Sequence, residues 1–291
     1  MSGWKFETVV PAAAVEAFTA AVESLCPAVA SFEIPGSAFW RIEGYCSAMP
    51  PHAEAAAAMA LAAARTGVGE PSFTCVPLPD TDWVAASRES FSPIVAGRYF
   101  IRPSHYDGPV PHGAVAITLD AGAAFGTGEH ATTWSCLLAL DGLARRRRFV
   151  RPLDLGCGSG ILALAMAATW RRRVIAADID LQSVRVAREN ARTNGLAAWA
   201  DFVRSDGVSE WRIARAAPYD LIAANILAKP LVAMSAPLSR LLSGGGTAIL
   251  SGLLAAQENE VRNAYRRQGL VLTRRIVRDG WHTLVLARNA R

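Results

Sequence analysis

Hydrophobic and polar positions alternate along "WKFETVV" (residues 4–10), the period-two signature of a half-buried strand. The pattern then changes to helical spacing from Pro11 to about Leu25, proline being tolerated in a helix's first turn. "VASFEI" and "WRIEGYCS" again read as strands, separated by the turn-rich "PGSAF". An alanine-rich helix from His52 to Arg65 stops at Gly67, and "SFTCVPL" supplies a fourth strand. The order strand, helix, strand, strand, helix, strand predicts a ferredoxin-like α+β domain, a fold that by itself says nothing of function. A short helix over 82–90 and the strand "GRYFIRP" lead into "SHYDGPVPHG", whose prolines and glycines mark a linker. The domain boundary is accordingly placed between residues 1–105 and 106–291.

From about Ala114 onward strand-like and helix-like runs alternate, which predicts a parallel sheet flanked by helices. The strands are "RPLDL", "RVIAAD", "ADFVRS", "YDLIAAN", "GTAILS", "LVLTRRIV" and "HTLVLAR". Asp279-Gly280, between the last two, is a pair suited to closing a tight antiparallel hairpin. The expected architecture is therefore α/β, a seven-stranded Rossmann-like sheet with a terminal hairpin and an N-terminal ferredoxin-like domain.

Composition narrows the class. The longest helix-like apolar stretch, "AEAAAAMALAAA", is too short for a bilayer, and the N-terminus lacks a basic segment followed by an apolar one. A cytoplasmic protein is expected, with no membrane partner. The five cysteines are scattered, with no Cys-x-x-Cys pair and no histidine at metal-ligand spacing, so reduced, mostly buried thiols are expected and no metal. Charge is divided unevenly: residues 1–105 hold six Lys or Arg against ten Asp or Glu, and residues 106–291 hold twenty-four against fifteen. That split argues against one continuous nucleic-acid surface. "RRRR" at 145–148 and "RRR" at 171–173 read as solvated helix ends and loops, with RNA contact as the competing reading.

The chemistry concentrates in "PLDLGCGSGILALAMAATW" (residues 152–170). Gly156, Gly158 and Gly160 fall between a strand and a helix, where a bare backbone and a helix N-terminus can approach a ligand. The spacing is G-x-G-x-G, not the dinucleotide G-x-G-x-x-G, and no P-loop "GK[ST]" is present. Asp154, just before the loop, would repel a pyrophosphate but would suit a cationic amino-acid ligand. Asp178 ends the next strand, 22 residues after Gly156, where a carboxylate accepts hydrogen bonds from both ribose hydroxyls. Asp180 reads as the cap of the following helix, although the two carboxylates can exchange roles. A ribose carboxylate without phosphate machinery points to S-adenosyl-L-methionine.

Two further stretches, "LDAGAAFGTGEHATTWSCLLAL" and "YDLIAANILAKPL", join "LDLGCGSGILALA", "ADIDLQSVRVARENARTNG" and "LLSGGGTAILSGLLAAQENEV" in a pattern that resembles the bacterial methyltransferases of large-subunit ribosomal protein eleven. The likeness covers essentially the whole second domain, and the front domain is similar to that family's substrate-recognition domain. It implies that Thr133, Gly156, Asp178 and Asn225 contact S-adenosyl-L-methionine, with Gly158 in the same loop. It also implies a basic ribosomal protein as substrate, modified on lysine side chains, an N-terminal amine or both, which the acidic front domain would attract. A relative acting on another protein or a small amine, and a non-catalytic cofactor-binding protein, are the alternatives.

Asn225 is the expected catalytic residue: its amide oxygen can orient an N–H donor but is too weak a base to take the proton. The competing reading is an asparagine closing a strand-end turn. Thr133 is either a cofactor contact or a helix N-terminal hydroxyl, and His130 either a functional or a surface loop residue. Trp281 and Phe125 either wall a pocket or pack a core. Ala121 and Ala131 stand where the family has prolines, which predicts a looser loop.

Overall fold

The computed structural model describes residues 3–78, 92–120 and 130–290. The chain divides into two compact units, Met1–Ala86 and Ser87–Arg291. The expected helix over 82–90 lies outside the described residues.

The first unit runs β1 (Trp4–Pro11), α1 (Val15–Glu23), β2 (Ala28–Glu33), β3 (Phe39–Cys46), α2 (His52–Thr66) and β4 (Phe73–Pro77). Its strands are ordered β2-β3-β1-β4 with every neighbouring pair antiparallel, which is the split β-α-β arrangement. The helix α1 begins later than its spacing predicts because Pro11 is still paired with Phe39 in the sheet and a 3-10 turn, Ala12–Ala14, intervenes. Phe6, Phe18, Ile42 and Met59 fill the core between sheet and helices. Gly44 on β3 permits close approach of α1, since a Cβ there would lie 2.6 Å from Val22 and 2.8 Å from the sulfur of Cys26. Cys26 and Cys46 are joined in a disulfide, Cα atoms 5.0 Å apart, contrary to the expected reduced state. The cause is tertiary: the turn after α1 is laid beside the end of β3. Cys75, Cys136 and Cys157 remain free thiols.

In the second unit, β5 (Ile94–Ala96), β6 (Tyr99–Arg102) and β7 (Val115–Thr118) form a three-stranded sheet. The segment "SHYDGPVPHG", read from composition as an interdomain linker, is instead the connection that lets β7 pair parallel to β6. Tyr99, Ile101 and Ile117 are buried in the core of this unit, which is why the division falls after Ala86 and not at 105.

Then follow α3 (Ala131–Ala144), β8 (Pro152–Leu155), α4 (Ile161–Trp170), β9 (Val174–Asp178), α5 (Leu181–Thr193), β10 (Ala200–Arg204), α6 (Trp211–Ala216), β11 (Tyr219–Asn225), α7 (Ala228–Ala233), α8 (Ser235–Leu241), β12 (Leu242–Leu254), α9 (Glu258–Arg266), β13 (Leu270–Arg278) and β14 (Trp281–Arg288). All seven expected strands are present in one sheet, ordered β10-β9-β8-β11-β12-β14-β13, parallel except for β14, which runs antiparallel to both neighbours. Asp279 and Gly280, at φ 50° and 75°, close the final hairpin.

Alternate residues of β11 feed opposite cores, Leu221 and Ala223 one, Ile222 and Ala224 the other. Burial on both faces explains why these strands read as continuous apolar runs. Chain order reverses between β8 and β11, and in open α/β sheets that switch point opens the ligand crevice at the strands' C-terminal ends. Among the described residues no helix is long and apolar enough to cross a membrane.

Overpacking beneath α1 gives a direct test of the first unit. Gly44→Ala is expected to lower its stability by about 1–3 kcal/mol, read as an earlier transition in urea unfolding, while ligand binding by the second unit is unchanged.

Candidate active site

At the end of β8 the main chain turns through Gly156, Gly158 and Gly160 at φ 69°, 51° and 84°, a region that strains any residue bearing a Cβ. Space as well as torsion demands glycine. A Cβ on Gly156 would sit 2.1 Å from Cγ2 of Ile226, and one on Gly160 would sit 2.9 Å from Ala187. The amides of Gly156 and Cys157 both donate to the carbonyl of Ala177, at 2.8 and 3.0 Å, which fastens the loop to the end of β9.

Asp178 completes that attachment. Its Oδ2 accepts from the amide of Gly158 and its Oδ1 from the amide of Asp180, both at 2.9 Å. An ionised carboxylate has about four acceptor sites, so each oxygen keeps one for a hydroxyl donor. Asp180 faces elsewhere: its side chain accepts from the amides of Gln182 and Ser183 at 3.0 and 2.9 Å, capping α5. Those backbone hydrogen bonds hold its carboxyl below the usual range. The two aspartates therefore have separate roles, and the exchange that the sequence left open does not occur.

Asp154 departs from expectation. Its side chain is wholly buried beneath the loop, with Oδ2 accepting from the amide of Ala163 at 3.0 Å and Oδ1 without a hydrogen-bond partner. Burial pushes its carboxyl up to about 7, and the charge of nearby Asp178 adds to the rise. A group placed there organises the start of α4 and is not open to a cationic ligand.

Across the switch point, β11 ends at Asn225 and α3 begins beside it. The Nδ2 of Asn225 donates to Oγ1 of the fully buried Thr133 at 3.3 Å, which leaves the amide oxygen as an acceptor. His130 is the N-cap of α3, and its Nδ1 lies 2.8 Å from the hydroxyl of Thr132. Its ring meets Trp281 edge to face at 5.0 Å. Asn225, His130, Thr132 and Trp281 border a cavity of about 250 Å³, lined also by Ile226, Leu227 and Gly252. Trp281 and His130 thus both line the cavity, whereas Phe125 and Ala121 lie outside the described residues.

Sequence reasoning missed four lining residues, Thr132, Ile226, Leu227 and Gly252. Gly252, at φ 89°, would place a Cβ 2.2 Å from the carbonyl oxygen of Ile226, so β12 reaches the cavity floor through a glycine. It stands in the quoted "SGLLAAQENEV", where the glycine itself was the available signal. Ile226 and Leu227 follow directly on Asn225, and Leu227 is 69% exposed, which no local pattern reveals. Ile226 is also the hinge of the site, since it packs against Gly156 and lines the cavity.

The order of the seven strands, with the glycine turn at the switch point and β14 antiparallel beside β12, is the architecture of the α/β methyltransferases. The sequence profile of the family described as ribosomal protein L11 methyltransferase (PrmA) matches residues 21–289, and the chain belongs to that family, whose methyl donor is S-adenosyl-L-methionine. A ribosomal protein L11 methyltransferase from Rhodopseudomonas palustris (strain BisB5) is 42% identical over 261 residues, 90% of this chain and 88% of the relative. One from Caulobacter sp. (strain K31) is 45% identical over 211 residues, 72% of this chain and 73% of the relative. The crystal structure of a ribosomal protein L11 methylase from Lactobacillus delbrueckii subsp. bulgaricus superposes with a TM-score of 0.60 at 29% identity, covering 68% of this chain and all of the other.

Two outcomes follow from the loop and from α3. Ala131 is the first residue of α3, and His130 before it is already extended at φ −64° and ψ 134°, the conformation that a following proline requires. Ala131→Pro should therefore stabilise the protein by about 0.4–1 kcal/mol, measured by chemical denaturation. For Asp154 the folded pKa lies above the unfolded value, so the native state holds the proton more tightly and loses stability as pH rises from about 4 to about 7. Wild type should lose on the order of 4 kcal/mol relative to Asp154→Asn across that window, at about 1.36 kcal/mol per unit, and the difference should be flat above it.

Proposed function

We propose that this protein transfers methyl groups from S-adenosyl-L-methionine to amino groups of ribosomal protein L11, on lysine side chains, the N-terminal amine or both. The observation that carries the reading is Asn225, held from behind by the buried Thr133 and facing an apolar cavity that shares Ile226 with the glycine loop. The names of the relatives support the substrate, since each is called a ribosomal protein L11 methyltransferase.

The residues present fit the donor. The glycine turn keeps the main chain at the end of β8 bare beside β9, and Asp178 retains an acceptor site on each oxygen for the two ribose hydroxyls. Gly156, Gly158, Asp178, Thr133 and Asn225 are assigned to holding it. When bound, S-adenosyl-L-methionine supplies a methyl group activated by its sulfonium.

The protein's own contribution is to desolvate, orient and neutralise the acceptor. A lysine in water costs roughly 4–5 kcal/mol to neutralise at pH 7, and an apolar cavity lowers that cost because burial disfavours the ammonium form. The Leu227 side chain and the Trp281 ring give the aliphatic stem its contacts. The free amide oxygen of Asn225 accepts an amine N–H and so fixes where the nitrogen lone pair points. Water takes the proton. The first unit carries three Lys or Arg against nine Asp or Glu over residues 1–86, a balance suited to recruiting a basic ribosomal protein, and we assign it substrate recognition.

Intact-mass measurement of ribosomal protein L11 before and after incubation with enzyme and donor tests the reading, with fragment spectra locating the modified groups. Mass added at amino groups is expected; an unchanged mass while calorimetry shows donor uptake would refute the substrate, and methyls on carboxylates or amides would refute the acceptor class. Asn225→Ala should lower kcat by roughly 10²-fold through lost orientation, with the amine KM moving less. Asp178→Ala should instead weaken donor binding by about 10- to 100-fold, for the loss of charge-assisted hydrogen bonds.

A further inference from the structure

At the edge of the sheet opposite the glycine loop, the N-terminal ends of β8, β9, β10 and β11 and the helix α6 enclose a groove of about 690 Å³. Arg151, Arg173, Arg212 and Arg215 line it, and Trp211 stands beside them with 57% of its surface exposed. The guanidinium groups of Arg212 and Arg215 lie 5.7 and 5.6 Å from the centre of the Trp211 ring.

Three carboxylates oppose this charge, one of them, Asp220, accepting from the backbone amides of Val150 and Arg151 at 2.7 and 2.9 Å. Asp201 is 3.5 Å from Arg173, and Glu210 is 3.8 Å from Arg212. Among the described residues no carboxylate lies within ion-pair distance of Arg151 or Arg215. The helices α3 and α4 end at this same edge, so the runs 145–148 and 171–173 emerge around it. Arg145 and Arg147 are engaged by Asp141 and the carbonyl of Gly245, and Arg146, Arg148, Arg171 and Arg172 are exposed and form no ion pair among the described residues. A helix C-terminus offers roughly half a negative charge, which two such ends cannot balance against so many full positive ones.

We propose that this groove binds a single-stranded polynucleotide, with phosphates on the arginines and a base stacked at the Trp211 indole. The combination selects the ligand. An acidic peptide would answer the charge but leave the exposed indole without a flat partner, and a membrane cannot follow a concave groove. Stacking and phosphate contact need no base-edge readout, so the binding is indifferent to sequence. The site is independent of methyl transfer, lying at the other end of the strands from Asp178 and Asn225. Ribosomal RNA is the polynucleotide nearest to a ribosomal substrate.

The test is fluorescence anisotropy of labelled oligouridylate and oligothymidylate with the full chain at low ionic strength. Binding should weaken with salt at a log–log slope of about 0.7 per contacted phosphate. Replacing both Arg212 and Arg215 by Gln should reduce that slope by roughly 1.4. Trp211→Ala should weaken binding by about fivefold or more with the slope unchanged, and Trp211→Phe should retain most of the affinity. Unaltered uptake of S-adenosyl-L-methionine shows that each variant is folded; Arg173→Gln, at a 73% exposed side chain, serves as a second variant. Tighter binding of the RNA probe identifies RNA as the source, and equal binding of both probes identifies a site indifferent to sugar. No binding of either probe, affinities unmoved by all the substitutions, or equal competition by polyglutamate or anionic vesicles would overturn the proposal.

Discussion

The active edge of this molecule depends on the close approach of three pieces of main chain that side chains would keep apart. Ile226 occupies the space that a Cβ on Gly156 would need, and its carbonyl occupies the space that a Cβ on Gly252 would need. Those two contacts draw the ends of β8, β11 and β12 together at the switch point of the sheet. Everything else in the site is hung on that convergence: the loop that Asp178 holds by the Gly158 amide, the Thr133–Asn225 bond and the cavity beneath Trp281. Glycine is required there for two separate reasons, positive φ and lack of room, so the constraint is not relieved by torsion alone.

The same loop sorts its carboxylates by environment. Asp154 lies in the core with one oxygen unpartnered, and its proton is retained to about pH 7. Asp178, at the surface end of the neighbouring strand, accepts two amide bonds and keeps acceptor capacity to spare. Asp180 is spent on the helix it caps. The three acids thus differ by the groups around their oxygens: Asp154 is sealed in the core, Asp178 accepts two amide bonds at the strand end, and Asp180 caps α5.

Charge is distributed with comparable economy. The first unit is acidic, whereas in the second the runs 145–148 and 171–173 follow helix ends at the edge of the sheet remote from the glycine loop. A parallel sheet has two chemically different ends, because every crossover helix returns its C-terminus to the side where strands begin. In this chain the strand C-terminal end holds the glycine turn, Asp178 and the cavity at Asn225, and the strand N-terminal end holds the groove of Arg151, Arg173, Arg212, Arg215 and Trp211.

Local pattern in the sequence determined the seven strands of the large sheet, the β-α-β-β-α-β order of the first unit, the Asp279-Gly280 hairpin and the glycine turn after β8. Each of these is set by torsional preference or by burial period over a few neighbouring residues, and the motif resemblance placed Thr133, Asp178 and Asn225 beside them. Tertiary structure alone decided that "SHYDGPVPHG" joins two parallel strands within one unit, that Cys26 meets Cys46, and that Ile226, Leu227 and Gly252 border the cavity. It also decided that Asp154 is sealed from ligand and that arginines from three separate segments share a groove with Trp211. The physical reason is that these facts concern which segments become neighbours, a property of strand order and layer packing that no short window of hydrophobic and polar positions encodes.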